Sequence, residues 1–324
     1  MYKNKKILVT GGAGLIGSYL VDLLVQDGNE VVVIDDFSKG KFENLKQNLN
    51  HIELREGNLE NNEFVKKGLE GIDIVYHLAS RAYGIGYSKS NHTNILLHNE
   101  RITNNLIDVF KSKKPDKILI VSSSCVYSDA GPDLISEDEP LINEPEIANF
   151  GYGWAKRFLE KKFIIFSNET EIPLHIVRPF NIYGERYNWF GEHSQAIPML
   201  IKKVLDQNNP IVIWGSGNQR RNYLHAYDCA RIIKIIMEKN DEKKIVNIGS
   251  EKTISLFELV QLMMKVTGNN LEVTFDTSKP EGRFIKSSDT TLLKKILESK
   301  KIHSISIEEG LSKMIGWYEK TFKS

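Results

Sequence analysis

Short apolar runs alternate with stretches of helical period through the first half of the chain. Ile7-Leu8-Val9 leads across a polar turn into Leu15, Tyr19, Leu20, Leu23 and Leu24 at helical spacing. Glu30-Val31-Val32-Val33-Ile34-Asp35-Asp36 is a second apolar run, closed by two acids. His51-Ile52-Glu53-Leu54-Arg55 reads as a third strand, and the stretch from Gly71 to Ser80 as a fourth that enters a loop. A helix from about Asn94 to Lys111 precedes a fifth strand, Lys117 to Val121, and a sixth enters a turn between Glu171 and Gly184. This alternation predicts an α/β fold with a doubly wound parallel sheet and its ligand at the strands' carboxyl ends. An amphipathic helix from Ile307 to Phe322 is expected to pack a smaller C-terminal α+β substrate domain. The expected division is 1–180 for the first domain, with segments from about 210–245 returning to it, and 181–324 mainly for the second.

Composition adds limits rather than direction. A chain of 324 residues has room for one large or two modest domains. Hydrophobic content of 41% and charged content of 26% are ordinary for a globular protein. A net charge of +1 gives no electrostatic case for nucleic acid or a membrane surface as partner. No apolar run approaches the ~18 residues of a membrane span, and no signal-peptide core follows the amino end. The two cysteines, Cys125 and Cys229, are too few for a disulfide framework and suit a reducing, cytoplasmic setting.

Chemistry first shows at the end of the first strand. Thr10-Gly11-Gly12-Ala13-Gly14-Leu15-Ile16-Gly17 sits between a strand and a helix, the context that a dinucleotide-binding turn requires. Gly11 permits the tight turn, Gly14 lets the backbone and the Leu15 and Ile16 amides approach a pyrophosphate, and Gly17 lets the helix pack on the sheet. Asp35 lies roughly 20 residues on, where a carboxylate accepts the ribose hydroxyls of an adenosine, with Asp36 beside it. A carboxylate there repels a 2′-phosphate and favours NAD over NADP, although Lys39 and Lys41 stand nearby. Asn58 and Leu59 are placed to meet the adenine, and Leu78, Ala79 and Ser80 to line the dinucleotide. The sheet is therefore expected to be of the Rossmann type.

Tyr152 and Lys156 stand four residues apart, so on a helix the phenol and the ammonium share a face. A fixed lysine cation lowers the pKa of a phenol and suits it to taking a proton from a sugar hydroxyl. An ordinary amphipathic helix face has the same spacing.

The glycine turn, Asp35, Gly57-Asn58-Leu59 and His77-Leu78-Ala79 together resemble the extended short-chain dehydrogenases, the NAD-dependent epimerase/dehydratase family of nucleotide-sugar enzymes. That resemblance implies a Ser, Tyr, Lys trio made of Ser123, with Ser124 beside it, Tyr152 and Lys156. Ser-Ser-Cys-Val-Tyr, with Cys125, is similar to the stretch in GDP-fucose synthases and GDP-mannose 3,5-epimerases, where the cysteine is an acid/base; a small packed residue is the other reading. The family's second acid/base position falls on Gln195, whose amide exchanges no proton, and His193 is close by. Arg81 and Tyr83 are expected in a glycine-rich loop over the sugar. The resemblance also implies Asn181 and Arg221 on the substrate diphosphate and Trp214 near the base. It places Lys279 and Arg283 within reach of either, and makes Asp228 structural.

The resemblance thus implies NAD-dependent oxidation at C4 of a nucleotide sugar, a GDP-hexose or GDP-heptose, giving a 4-keto sugar for surface polysaccharide synthesis. The alternatives are an epimerase with transient C4 oxidation, a 4,6-dehydratase, and a non-enzymatic NAD-binding protein. Dehydratases of the family carry carboxylates in the stretch after the fifth strand, and this chain has none there. A homodimer or larger homo-oligomer is expected through the helices near Leu97 to Phe110 and Phe158 to Phe166.

Overall fold

The computed structural model describes residues 5–191, 194–239, 245–279, 283–297 and 304–323. The first half runs β1 (Lys6–Thr10), α1 (Leu15–Gln26), β2 (Glu30–Asp35), β3 (Ile52–Glu56), α2 (Asn62–Gly68) and β4 (Ile74–His77). It continues through α3 (Ile85–Ser88), α4 (His92–Phe110), β5 (Lys117–Val121), β6 (Leu134–Ile135), α5 (Phe150–Thr170) and β7 (Leu174–Pro179). Among the described residues these strands other than β6, joined by a late one, form a seven-stranded sheet in the order β12-β7-β5-β4-β1-β2-β3, where β12 is Ile245–Ile248; β6 pairs instead with a late strand, Ile285–Ser288. Every pairing in the seven-stranded sheet is parallel.

The strands read as continuous apolar runs because both faces of the sheet are covered. Side chains of one strand point alternately to either side. Ile7 and Val9 join Val31, Val33, Leu119 and Val121 in one buried cluster with α1, while Leu8 joins Val32, Ile34, Ile118 and Ile120 in another with α4 and α5. Most members of each cluster are almost fully buried.

The second half contains β8 (Ile182–Tyr183), α6 (Ala196–Leu205), β9 (Ile211–Trp214), β10 (Arg220–Arg221), β11 (Leu224–His225) and α7 (Ala226–Glu238). After β12 come β13 (Ile254–Ser255), α8 (Leu256–Thr267), β14 (Val273–Asp276), β15 (Ile285–Ser288), α9 (Thr291–Leu297) and α10 (Ile307–Phe322). A third core gathers Trp189, Ile201, Ile213, Met263, Leu311 and Met314 between α6, α8 and α10. The return to the large sheet is made by α7, which packs on α1, and by β12. Ile211–Trp214 instead pairs with Val273–Asp276 in the second layer. The apolar run Ile211-Val212-Ile213-Trp214 reads like a core strand, but it is buried on one face only, with Val212 and Trp214 exposed.

Candidate functional site

The carboxyl ends of β1, β2 and β4 meet around the glycine turn. Gly11 has φ +68°, and an added Cβ would lie 2.8 Å from the Ala79 amide nitrogen, so only glycine fits where the two chains cross. Thr10 fastens the same crossing, since its hydroxyl accepts the amides of Leu78 and Ala79 at 3.2 Å each and lies 2.7 Å from His77 Nδ1. Gly14 caps α1 with extended backbone and no side-chain bond, leaving the amides of Leu15, Ile16 and Gly17 uncovered by any capping group. Asp35 is almost buried and holds the turn directly. Its Oδ2 accepts from Ala13 N and its Oδ1 from Phe37 N, both at 2.9 Å. Asp36 accepts from Ser38 N at 3.0 Å. These residues fit a dinucleotide, with a backbone face clear of side chains and a carboxylate at the ribose end.

Asn58 turns back on its own loop, accepting from Glu60 N at 2.8 Å, while Leu59 is buried in the core. The Arg81 backbone is clasped by Asn99, which accepts its amide at 3.0 Å and donates to its carbonyl at 3.1 Å. Tyr83 packs on Tyr87 with ring centres 4.5 Å apart, and Lys39 lies over the Tyr83 ring while donating to Ala82 O.

The first turn of α5 stands opposite this cradle. Lys156 Nζ lies 5.5 Å from the centre of the Tyr152 ring and donates to Val121 O at 2.7 Å, so the helix spacing does bring the pair together. The Tyr152 hydroxyl is hydrogen-bonded to Ser80 and Ser123. Lys156 is 3% exposed, and burial pulls its ammonium down to about 7. The phenol behaves differently from the sequence expectation. Burial, and then the nearby Cys125, push it above its ordinary value, and the serine hydrogen bonds only partly offset them. Desolvation is the largest of these influences.

Cys125 follows β5 in a short 3-10 turn. Ser123 Oγ accepts its amide at 3.1 Å, and Ser124 is buried beside it. An added Cβ at Gly153 would come within 2.6 Å of Cys125 O, so α5 presses directly on this turn. Two residues that sequence reasoning did not single out complete the group. Glu146 is hydrogen-bonded to the thiol and ion-paired with Lys286 on β15. The only signal in the chain was that Lys286 closes the basic run containing Lys279 and Arg283.

The second layer supplies the remaining candidates. Arg221 is the direct strand neighbour of Lys286 and donates to the carbonyls of Arg220 and Phe284, at 2.8 and 3.3 Å. Lys279 lies 5.9 Å over the Trp214 ring, which is exposed. Arg283 donates to the backbone carbonyls of Ser128 and Gly131, at 3.2 and 2.5 Å, and holds that loop. Asn181 has φ +42° and donates to Asn222 O at 3.3 Å. Gln195 accepts from the Tyr187 hydroxyl at 2.8 Å, and His193 lies outside the described residues. Asp228 is fully buried, accepting from Ile305 N at 2.7 Å. Among the described residues no helix is long and apolar enough to cross a membrane, and no cluster of three acids, histidines or cysteines suits a metal.

The sequence profile described as "NAD dependent epimerase/dehydratase family" matches residues 7–249. The chain is 28% identical to the UDP-N-acetyl-alpha-D-glucosaminuronate decarboxylase of Bacillus cytotoxicus, covering 97% of this chain and 98% of that protein. It is also 28% identical to the GDP-L-fucose synthase of Escherichia coli, covering 97% of each. Among solved structures it is similar to the UDP-glucuronic acid 4-epimerase of Bacillus cereus in complex with UDP-glucuronic acid and NAD. There the identity is 27%, the TM-score is 0.86, and 98% of this chain and 100% of that chain are covered.

Proposed function

The chain belongs to the NAD dependent epimerase/dehydratase family, and from that premise we propose that it oxidises C4 of a nucleoside-diphosphate sugar, a GDP-linked hexose or heptose. The observation that carries this reading is the convergence of Ser80, Ser123, Tyr152 and Lys156 at the strand ends facing the glycine turn. NAD is the cofactor, and when bound it supplies the two-electron acceptor that no side chain offers. Gly11, Gly14 and the amides of Leu15 and Ile16 would hold its diphosphate, and Asp35 its adenosine ribose.

The residues of the chain handle the proton. Tyr152 takes it from the C4 hydroxyl, and Ser123 holds the oxygen as it becomes a ketone. Lys156, packed under the phenol ring, steadies the phenolate form that Tyr152 must be in before it takes that proton. Arg221, on β10, presents positive charge toward the diphosphate side, while its strand neighbour Lys286 is ion-paired with Glu146. Trp214 with Lys279 over its ring offers a planar face for the base, and the GDP linkage itself rests on the likeness of the Ser-Ser-Cys-Val-Tyr stretch to GDP-sugar enzymes.

A second reading keeps the same first step and returns the electrons to C4, giving an epimer. The similarity to UDP-sugar 4-epimerases favours it. Inversion at a carbon next to C4 lacks support, because Gln195 is an amide held by Tyr187. Mixing the protein and NAD with a panel of GDP- and UDP-linked hexoses and heptoses tests both readings. NADH absorbance with a GDP sugar is the expected result. An altered sugar without net NADH selects the second reading, and neither change with any sugar overturns both.

A further inference from the structure

Charged groups from separate segments close around the Cys125 thiol. Glu146, in the loop before α5, donates its amide to Cys125 O at 3.2 Å and hydrogen-bonds the thiol through its carboxylate. The same carboxylate is ion-paired with Lys286, and its Oε1 accepts from Asn149 Nδ2 at 2.8 Å. Lys286 is 6% exposed, so this pair sits out of water. Arg221, next to Lys286 in the sheet, adds its positive charge to Glu146. Tyr152 and Lys156, on α5, are near enough to Cys125 for its charge to act on both. The thiol is therefore close both to a carboxylate and to the candidate proton-handling pair.

A thiol in contact with a carboxylate is not poised to ionise alone, since thiolate and carboxylate would repel each other. Burial, and then Glu146, push the Cys125 thiol up to about 12. Burial also opposes ionisation of Glu146, but Lys286 outweighs it and keeps that carboxyl below its ordinary value. The stable arrangement is a neutral thiol donating to a charged carboxylate. The group within reach to receive the sulfur's proton is the Glu146 carboxylate.

We propose that Glu146, fixed by Lys286, is the group that holds the proton for Cys125, so that the two act as one relay between the sugar site and a buried carboxylate. The role of this relay rests on the C4 oxidation proposed above, because a ketone at C4 makes hydrogen on the neighbouring carbon acidic. The Cys125 proton passes to Glu146, and the thiolate takes the proton from that carbon. The carbon's bonding pair becomes the double bond of an enolate, leaving a thiol and a carboxylic acid. The reverse transfers restore the sugar, with no change in oxidation state and no added reactant. Because Gln195 offers no second acid, the relay serves one face and exchanges hydrogen without inversion.

The first test needs no sugar. Iodoacetamide alkylation of Cys125 in the whole protein, followed by peptide mapping across pH, reads the ionisation of the thiol. Cys229 is fully buried and serves as an internal control. Glu146→Gln removes the charge while keeping the shape, and should lower the alkylation midpoint by about one pH unit or more. Glu146→Asp keeps the charge and should remain closer to the wild-type midpoint than Glu146→Gln. A Glu146→Gln midpoint equal to or above the wild type overturns the relay, whatever the sugar panel gives. The second test uses whichever sugar of that panel yields NADH, in heavy water. The ratio of deuterium incorporated to NADH formed should fall at least about tenfold in Glu146→Gln; an unchanged ratio overturns the relay and leaves C4 oxidation standing.

Discussion

Arg178 and Glu160 meet in a two-pronged buried ion pair, Nη2 to Oε2 at 2.6 Å and Nε to Oε1 at 2.8 Å. The pair joins β7 to α5 one turn beyond Lys156. Ser122 donates to the same carboxylate at 2.5 Å, and Arg178 Nη1 donates to the Tyr127 hydroxyl at 2.8 Å. That hydroxyl in turn donates to Asn247 Oδ1 at 2.7 Å. The helix carrying Tyr152 is thereby pinned to β5, β7 and β12 at once.

Removing one partner would strand a charge in a site that water does not reach. Arg178→Met should cost about 3–5 kcal/mol in urea denaturation. Replacing both, as Arg178→Met with Glu160→Met, should cost less than the single change. A single variant within about 1 kcal/mol of the wild type would mean that the pair does not anchor the helix.

Tyr152→Phe deletes only the hydroxyl bonded to Ser80 and Ser123. NADH formation should slow by at least about 10²–10⁴-fold, the usual worth of a positioned acid or base. NAD affinity, read by calorimetry, should change little because the ring remains. Near-normal turnover would remove Tyr152 from the proton path.

Asp35→Ala frees the amides of Ala13 and Phe37, which now each donate at 2.9 Å. Each orphaned buried donor costs about 1–3 kcal/mol, so both stability and NAD affinity should drop. The NADP to NAD affinity ratio should rise as well, since the repelling carboxylate is gone. Calorimetry with both dinucleotides decides it, and an unaltered ratio would mean that Asp35 shapes the turn without selecting the cofactor.

Glu185 gives a pH signature. Burial opposes its charge, yet the His225 ring at 3.1 Å and the Tyr19 hydroxyl bring it down to about 2. A carboxyl depressed in the folded state stabilises fully above its ordinary value near ~4.5 and loses that contribution as pH falls toward about 2. Glu185→Gln should therefore be less stable than the wild type by about 2–3 kcal/mol at neutral pH. The gap should narrow by about pH 3. Urea midpoints at the two pH values measure it, and a gap that holds or widens on acidification contradicts the assignment.

The strand-turn-helix cradle was legible because its parts are contiguous. Gly11, Gly14 and Asp35 need only the local rules of turn, helix start and strand end. The Tyr152 and Lys156 pairing was legible for the same reason, as a spacing on one helix. Its electrostatics were not, because burial depends on what β4 and β5 bring over the helix. Glu146 and Lys286 lie 140 positions apart, and nothing local links an acid in a loop to a lysine on a late strand. That Ile245–Ile248 rather than Ile211–Trp214 joins the large sheet was hidden for a similar reason. Both are short apolar runs, and only the exposure of Val212 and Trp214 separates a one-sided strand from a covered one.

The place of β12 beyond β7 has a consequence for synthesis. A ribosome delivers β7 well before α7 and β12, so the nascent amino-terminal half emerges with a bare strand rim and an uncovered flank on α1. Unpaired rims of this kind invite association with other chains. Translation must pass Ile248 before that rim is sealed, and during that interval the growing polypeptide offers a holding chaperone an obvious grip.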